Sequence, residues 1–144
     1  MHGEKMNEKY ESQMKKGVMD MLVLRLLESE PKYGYQIINE LRERSNERFL
    51  LKEGTLYPIL YRLEDDGLLV SRWSEANEED AGYQKAGKEA SFLSNSSEKK
   101  GFRTGFRKKV PRKYYEITNT GRKALKEIEA LWKEITASVA LIMN

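Results

Sequence analysis

The chain has 144 residues, a charged fraction of 34%, a formal net charge of +3 and no cysteine. That length suits one modest core with an appended element, and the lack of thiols excludes disulfides, thiolate metal sites and cysteine nucleophiles. So high a charged fraction leaves a small apolar inventory for a monomer, so part of the burial is expected against a second copy; the weak positive balance fits an anionic partner without specifying one.

The opening stretch Met1-His-Gly-Glu-Lys-Met-Asn-Glu-Lys-Tyr10 lacks the apolar run of a secretory leader, and no window reaches the length of a membrane span. A cytoplasmic chain without membrane contact is the expectation. His2, the one histidine, is expected to be an expression scar or a solvated residue at a frayed terminus rather than a base. Residues 12–28 carry Met14, Val18, Met19, Met21, Leu22, Val23, Leu24, Leu26 and Leu27 around most of a helix circumference. This predicts one helix buried on several sides, with Asp20 as the acidic residue of its apolar part. Pro31 breaks the pattern, and residues 33–44 form the next predicted helix, with Tyr35, Ile38 and Leu41 on an apolar face that Ile37 shares. Ser45-Asn46 closes it.

Leu56, Ile59, Leu60 and Leu63 then recur at helical spacing and line one side of a short helix. At roughly 100° per residue, Gly54, Pro58 and Tyr61 point the opposite way, with Thr55, Tyr57 and Arg62 on the flanks. Pro58 is tolerated only near a helix start, so the helix begins close to Gly54, and Asp66-Gly67 ends it. Hydroxyls and a guanidinium on the outward face suit phosphate oxygens and base edges. The segment therefore reads as a DNA-recognition helix, with Lys52, Thr55, Tyr57, Tyr61 and Arg62 as its DNA-contact candidates.

Residues 68–74 and 113–118 alternate as two strands, the arms of a wing, with Arg112 and Lys113 at its base as further phosphate contacts. Between them residues 75–110 have no sustained period and are far longer than a wing tip needs. Their charge is segregated: Glu75, Glu78, Glu79 and Asp80 come first, while Lys99, Lys100, Arg103, Arg107, Lys108 and Lys109 crowd the end around Phe102 and Phe106. Two readings stand: a basic arm that tracks phosphates or enters a minor groove, and a solvated loop kept soluble by its charges. From Thr118, a candidate N-cap, a last helix carries Leu125, Ile128, Trp132, Ile135, Val139 and Ile142 in a heptad seam. So long a stripe predicts dimerisation through this helix, together with the first one. Trp132 is either an interface tryptophan or a flat stacking surface for a planar aromatic ligand, in a cavity that Asp20 would also face.

The fold expected from this order is α+β and mostly helical: a winged helix-turn-helix over residues 12–118 and a C-terminal dimerisation helix over 119–144. Two recognition helices held by the seam would enter successive major grooves about 34 Å apart on an operator duplex. A second reading is a protein-docking module whose charged insertion meets a charged partner without sequence-specific DNA binding. An enzyme is not expected, since no activated nucleophile, metal cluster or phosphate-cradling glycine loop is present. Neither a cofactor nor a metal is expected.

Five segments in order, Tyr33-Gly-Tyr-Gln-Ile37, Gly54-Thr-Leu-Tyr-Pro58 with Arg62-Leu-Glu64, Asp66-Gly-Leu-Leu69, Pro111-Arg-Lys-Tyr-Tyr115, and Thr118 with Gly121-Arg122, resemble the PadR-like family of bacterial transcriptional regulators. Together they span most of residues 18–144, and the single C-terminal helix is similar to the shorter subfamily. The resemblance implies a homodimeric winged-helix repressor that binds a pseudo-palindromic operator and releases it when a small molecule occupies the dimer. Relatives respond to phenolic acids or flat cationic drugs, and in the multidrug-sensing members a tryptophan on the C-terminal helix stacks on the ligand. Trp132 stands at the corresponding position. The chain departs from the family pattern in its long wing.

Overall fold

The computed structural model describes residues 2–74 and 112–144. Its elements in chain order are α1 (His2–Lys16), α2 (Met19–Leu27), β1 (Lys32–Tyr33), α3 (Gly34–Arg44), α4 (Glu53–Asp65), β2 (Leu69–Trp73), β3 (Lys113–Ile117) and α5 (Asn119–Met143). The expected α+β class, mostly helical, is what is found. The three strands form one sheet in the order β1-β3-β2. The residues fall into two compact units, Met1–Ser71 with Tyr115–Asn144, and Arg72–Tyr114.

In the first unit the core gathers around α2, whose Val23 and Leu24 are wholly enclosed and whose Met21, Leu26 and Leu27 are buried with them. Ile37 and Leu41 from α3, Leu56, Leu60 and Leu63 from α4, Leu69, Tyr115 and Ile117 from the strands and Leu125 from α5 complete it. Removing any one of the three α4 leucines would leave a cavity costing roughly 2–5 kcal/mol.

The first helix differs from expectation. A single helix over residues 12–28 is in fact two, broken at Gly17 and Val18, where Val18 takes φ −116° and ψ 1°. Glycine has the weakest helix propensity after proline, and it stands between a polar segment and an apolar one, so the chain redirects there. Helix α1 begins at His2. Met14, counted with the buried residues from its spacing, is exposed, while Met19 beyond the break is buried. Glu11 fastens α1 to the rest of the unit. Its carboxylate accepts from Arg48 at 2.8 Å and pairs with Lys15 at 3.0 Å. Those hydrogen bonds, that to Arg48 first, hold its carboxyl below the usual carboxylate range.

Strand β1 was not anticipated, because two residues cannot display an alternation. It places Lys32 in the interior, with its ammonium 3.4 Å from Glu30 and 3.5 Å from Glu40. Helix α3 opens with the Tyr33 backbone N–H donating to Gln36 Oε1 at 3.0 Å. Its inward stripe is Gly34, Ile37 and Leu41, and Tyr35, expected inward, is exposed. Two positions before Ile37, Tyr35 lies roughly 200° around the helix and faces out. The turn into α4 is tight. Ser45 Oγ donates to the Leu41 carbonyl at 2.6 Å and accepts from Phe49 N–H at 2.9 Å, while Asn46 and Glu47 both take positive φ, 54° and 67°.

Helix α4 stops where the Asp66-Gly67 signal puts it. Gly67 has φ +80°, its N–H donates to Glu64 O at 2.9 Å, and Leu68 N–H donates to Leu63 O at 2.9 Å, a left-handed glycine cap that turns the chain into β2. Ser71 Oγ then donates to Glu64 at 2.7 Å and ties β2 back to the last turn of α4. Thr118 caps α5 as expected, accepting from Gly121 N–H at 2.9 Å. A side chain at Gly121 would strike the Leu68 carbonyl and Ile117.

In the second unit Ser74 N–H donates to the Arg112 carbonyl at 2.7 Å and Arg112 N–H to Ser74 Oγ at 3.1 Å. The Lys113 ammonium lies 5.7 Å from the centre of the Trp73 ring. The insertion expected over residues 75–110 lies outside the described residues.

Opposite signs are expected from two substitutions. Gly121→Ala should lower unfolding stability by about 2 kcal/mol or more, since the Leu68 backbone would have to give way. Glu47→Gly should raise it by about 1 kcal/mol, because a left-handed non-glycine residue is relieved. Urea unfolding checks both; a neutral Gly121→Ala would mean the α5 junction is looser than drawn.

Candidate nucleic-acid interface

Helix α4 turns Leu56, Leu60 and Leu63 inward, keeps Ile59 partly covered, and leaves Gly54, Thr55, Pro58, Tyr61 and Arg62 on the outside. Lys52 precedes the helix in extended conformation at its N-cap and is exposed. The first-turn amides of a helix have no partner within the helix and carry the positive end of its dipole. In α4 the Thr55 and Leu56 amides donate to the Lys52 carbonyl at 3.0 Å, which leaves those of Glu53 and Gly54 at the open end, and a Cβ at Gly54 would meet nothing within 4 Å. The fold does not require glycine at that position. Its effect is to leave the backbone open to close approach from outside.

The other glycine of the motif pair has a different reason. A Cβ at Gly34 would collide with the Tyr57 hydroxyl, so the first turn of α3 fits directly beneath the Tyr57 ring. Tyr57, a DNA-contact candidate by sequence, is therefore half-buried and locks two helices together. Its hydroxyl is pushed up from the usual tyrosine value by burial first, then by the charges of Glu53 and Tyr61. Its ring centre is 6.0 Å from that of Tyr61 at an interplanar angle of 37°. Tyr61 itself is 50% exposed and carries the aromatic part of the outward face.

Arg62 and Asp20, expected to serve DNA and a ligand separately, meet each other. Arg62 Nη1 donates to Asp20 Oδ2 at 2.8 Å and Nη2 donates to Oδ1 at 2.9 Å, a bidentate pair joining α4 to α2. The hydrogen bond to Asp20, then its charge, raise the Arg62 guanidinium above its ordinary value. Both side chains are substantially exposed, so the pair contributes only about 0–1 kcal/mol to stability; its consequence is orientation. The pair lines a cleft of about 720 Å³ with Lys15, Lys16, Thr55 and Ile59 among its other walls. Those walls come from α1, α2, α4 and the loop before α4, and include no residue of α5, so within one chain Asp20 and Trp132 do not share this cavity.

On α5, Leu125 is enclosed and Ile128 partly buried, whereas Trp132 is 42%, Ile135 55%, Val139 50% and Ile142 82% exposed. The seam thus serves the chain's own core for its first two positions and then runs on uncovered. Arg25 of α2 reaches Glu129 at 2.7 Å and also pairs with Glu28, fixing the lower part of α5. In the second unit, Arg112 and Lys113 lie where β3 begins.

Sequence reasoning did not single out Tyr115. It is wholly enclosed in the core, and burial above all, then the charges of Tyr61, Glu64 and Tyr57, push its hydroxyl up to about 12. The strand pattern was visible, but which of Tyr114 and Tyr115 faces inward was not. Among the described residues no three His, Cys, Asp or Glu side chains gather to hold a metal ion, and no helix is long and apolar enough to cross a membrane.

A family model described as the transcriptional regulator PadR-like family matches residues 23–84, which run from within α2 through α3, α4 and β2. A PadR-like transcription factor from Bacteroides fragilis has a solved structure that is 34% identical, with a TM-score of 0.58, over 93% of this chain and 98% of that one. The chain belongs to the PadR-like family. A PadR family regulator from Eggerthella lenta DSM 2243 is 26% identical over 100% of this chain and 97% of its own, with a TM-score of 0.72. A PadR family regulator from Clostridium difficile R20291 is 28% identical over 88% and 99%, with a TM-score of 0.58. PadR-like proteins are DNA-binding transcriptional regulators and not enzymes. The winged-helix expectation and the family resemblance therefore hold for this PadR-like chain.

For this PadR-like regulator, alkaline stability should depend on Tyr115. With a folded value of about 12 and an unfolded value near 10, the folded state keeps a proton that the unfolded state has released between those values. Stability is thus present in full below about pH 10 and is lost as pH rises through about 12. Replacing Tyr115 by Phe should move the alkaline unfolding midpoint upward, as followed by circular dichroism; an unmoved midpoint would show that this hydroxyl does not set it.

Proposed function

We propose that the protein is a homodimeric, ligand-responsive repressor, in which α4 of each copy reads one half of a pseudo-palindromic double-stranded operator. Residues 12–118 form the reading domain and residues 119–144 pair the two copies. The observation that carries the reading is α4 itself, with an inward stripe of enclosed leucines and an outward face of Gly54, Thr55, Tyr61 and Arg62 behind Lys52. Lys52 and the first-turn amides bind phosphate and set register, and Thr55, Tyr61 and Arg62 address base edges. Tyr57 acts by holding α4 against α3. Arg112 and Lys113 add phosphate contacts from the wing base.

Dimerisation is supported by the uncovered part of the seam. Ile135, Val139 and Ile142 continue the stripe that Leu125 and Ile128 begin, and α1 offers Met6, Tyr10 and Met14 as a second exposed apolar row at spacing of one turn. Pairing through these faces would set the two reading helices about one duplex turn apart, near 34 Å. Trp132, in the middle of the seam, is the stacking surface for a small planar aromatic effector. Such a ligand weakens operator binding only by favouring a dimer geometry with mismatched spacing. We place the regulator in the cytoplasm with its DNA, without a cofactor.

Two substitutions separate reading from pairing. Gly54→Ala should keep the dimer and leave stability equal or about 0.5 kcal/mol higher, yet weaken operator binding about ten-fold by closing the helix start. Val139→Asp should give monomers that do not shift a palindromic duplex. Sedimentation and gel-shift titration check both, and a Gly54→Ala protein with unchanged DNA affinity would remove α4 as the reader. In a Trp73→Phe background, Trp132 fluorescence should be quenched by planar aromatic compounds in a saturable way. Indifference to a broad panel would leave Trp132 as an interface side chain only.

A further inference from the structure

We infer that Asp20 is a specificity-determining positioning residue, which holds the Arg62 guanidinium for base edges and keeps it from acting as a general phosphate hook. This rests on Arg62 being a DNA contact of α4, as proposed above.

The first ground is geometric. Asp20 takes one N–H from each terminal nitrogen of Arg62, at 2.8 and 2.9 Å, so the fork fixes the plane of the guanidinium as well as its position. A guanidinium has five N–H donors, and three remain for DNA, including Nε–H on the edge that Asp20 does not use. The carboxylate belongs to α2 rather than to α4. Its neighbours Met19, Met21, Val23 and Leu24 are buried, so α2 cannot turn, and Arg62 is referenced to the core of the fold. A flexible arginine anchored only by its own stem would have no such reference.

The second ground is charge. Within Glu53–Asp65 the acids are Glu53, Glu64 and Asp65, and Arg62 is the single base. Asp20 offsets that one cation. An unpaired guanidinium binds any phosphate and displaces a counterion in doing so, which strengthens attachment to every sequence alike. With its charge offset and its plane fixed, Arg62 gains little from phosphate, and its directional hydrogen bonds to a base edge decide where it binds.

The test compares the wild-type protein with Asp20→Asn, Asp20→Glu, Arg62→Gln and the Asp20→Asn/Arg62→Gln double variant. Each is titrated over a salt series against a duplex enriched by the wild type from a randomised pool, and against a random duplex of equal length. Asp20→Asn should bind the random duplex more tightly, with a salt slope steeper by about one, and its preference for the enriched duplex should fall about ten-fold. Asp20→Glu keeps the charge and shifts the fork, so it should keep the wild-type slope and lose preference. In the Arg62→Gln background, Asp20→Asn should change neither quantity, because Asp20 acts through Arg62. Should Asp20→Asn not fold, Asp20→Glu carries the test. Wild-type preference and slope in the Asp20 variants, or an equal loss with and without Arg62, would overturn the inference. A wild-type protein that enriches no duplex would overturn the reading of α4 itself, and the inference with it.

Discussion

The junction between α4 and α5 hangs on one side chain, Thr118. Its Oγ1 donates to the Gly67 carbonyl at 2.8 Å and accepts from Gly121 N–H at 2.9 Å, while its own backbone N–H donates to Leu68 O at 3.0 Å. The end of α4 and the start of α5 are thereby stitched through a single residue. Gly121 completes the joint, since only a residue without a side chain lets α5 approach the Leu68 carbonyl so closely. A joint with no slack means that a rotation of α5 in a dimer would be transmitted to α4. Long flexible linkers could not do this, because their entropy would absorb the displacement.

Helix α2 supplies a second mechanical link. It is the most enclosed of the described helices and sends a charged arm in each direction, Asp20 to Arg62 on α4 and Arg25 to Glu129 on α5. Neither pair is buried enough to contribute much stability. What each supplies is angular definition of a helix whose burial already provides adhesion. The leucines press α4 onto α2 with little directional preference, and the ion pairs select one rotation among those the packing allows.

On the proposed function, recognition by α4 would not be a matter of bulk charge. The helix holds more acid than base, so under that proposal its affinity for a polyanion would come from its helix start, from Lys52 and from cations elsewhere in the chain. That division suits a reader. Contacts that attract all DNA would then lie apart from the side chains that distinguish one duplex from another.

Much of this architecture was legible from residues alone. The stripe Leu56, Ile59, Leu60 and Leu63, the Gly67 cap, the Thr118 cap and the seam from Leu125 onward are local patterns, and local patterns follow from backbone geometry at fixed spacing. Hence α4, its end and α5 came out as read, as did the α+β winged helix and the family. Other features are contacts between residues far apart in the chain, and spacing carries no information about them. The strand at Lys32 depended on which surfaces found a core to meet, whereas the break at Gly17 and the outward turn of Tyr35 are local features that the apolar pattern alone did not separate. Tyr57 lies over Gly34 across 23 positions and Arg62 takes Asp20 across 42, so two residues assigned to DNA by their side-chain chemistry are held by partners that no local pattern could name. Periodicity decides which face of a helix is apolar. Only packing decides which polar side chain on the other face is left with donors to spare, because that depends on what the fold brings within three ångströms of it.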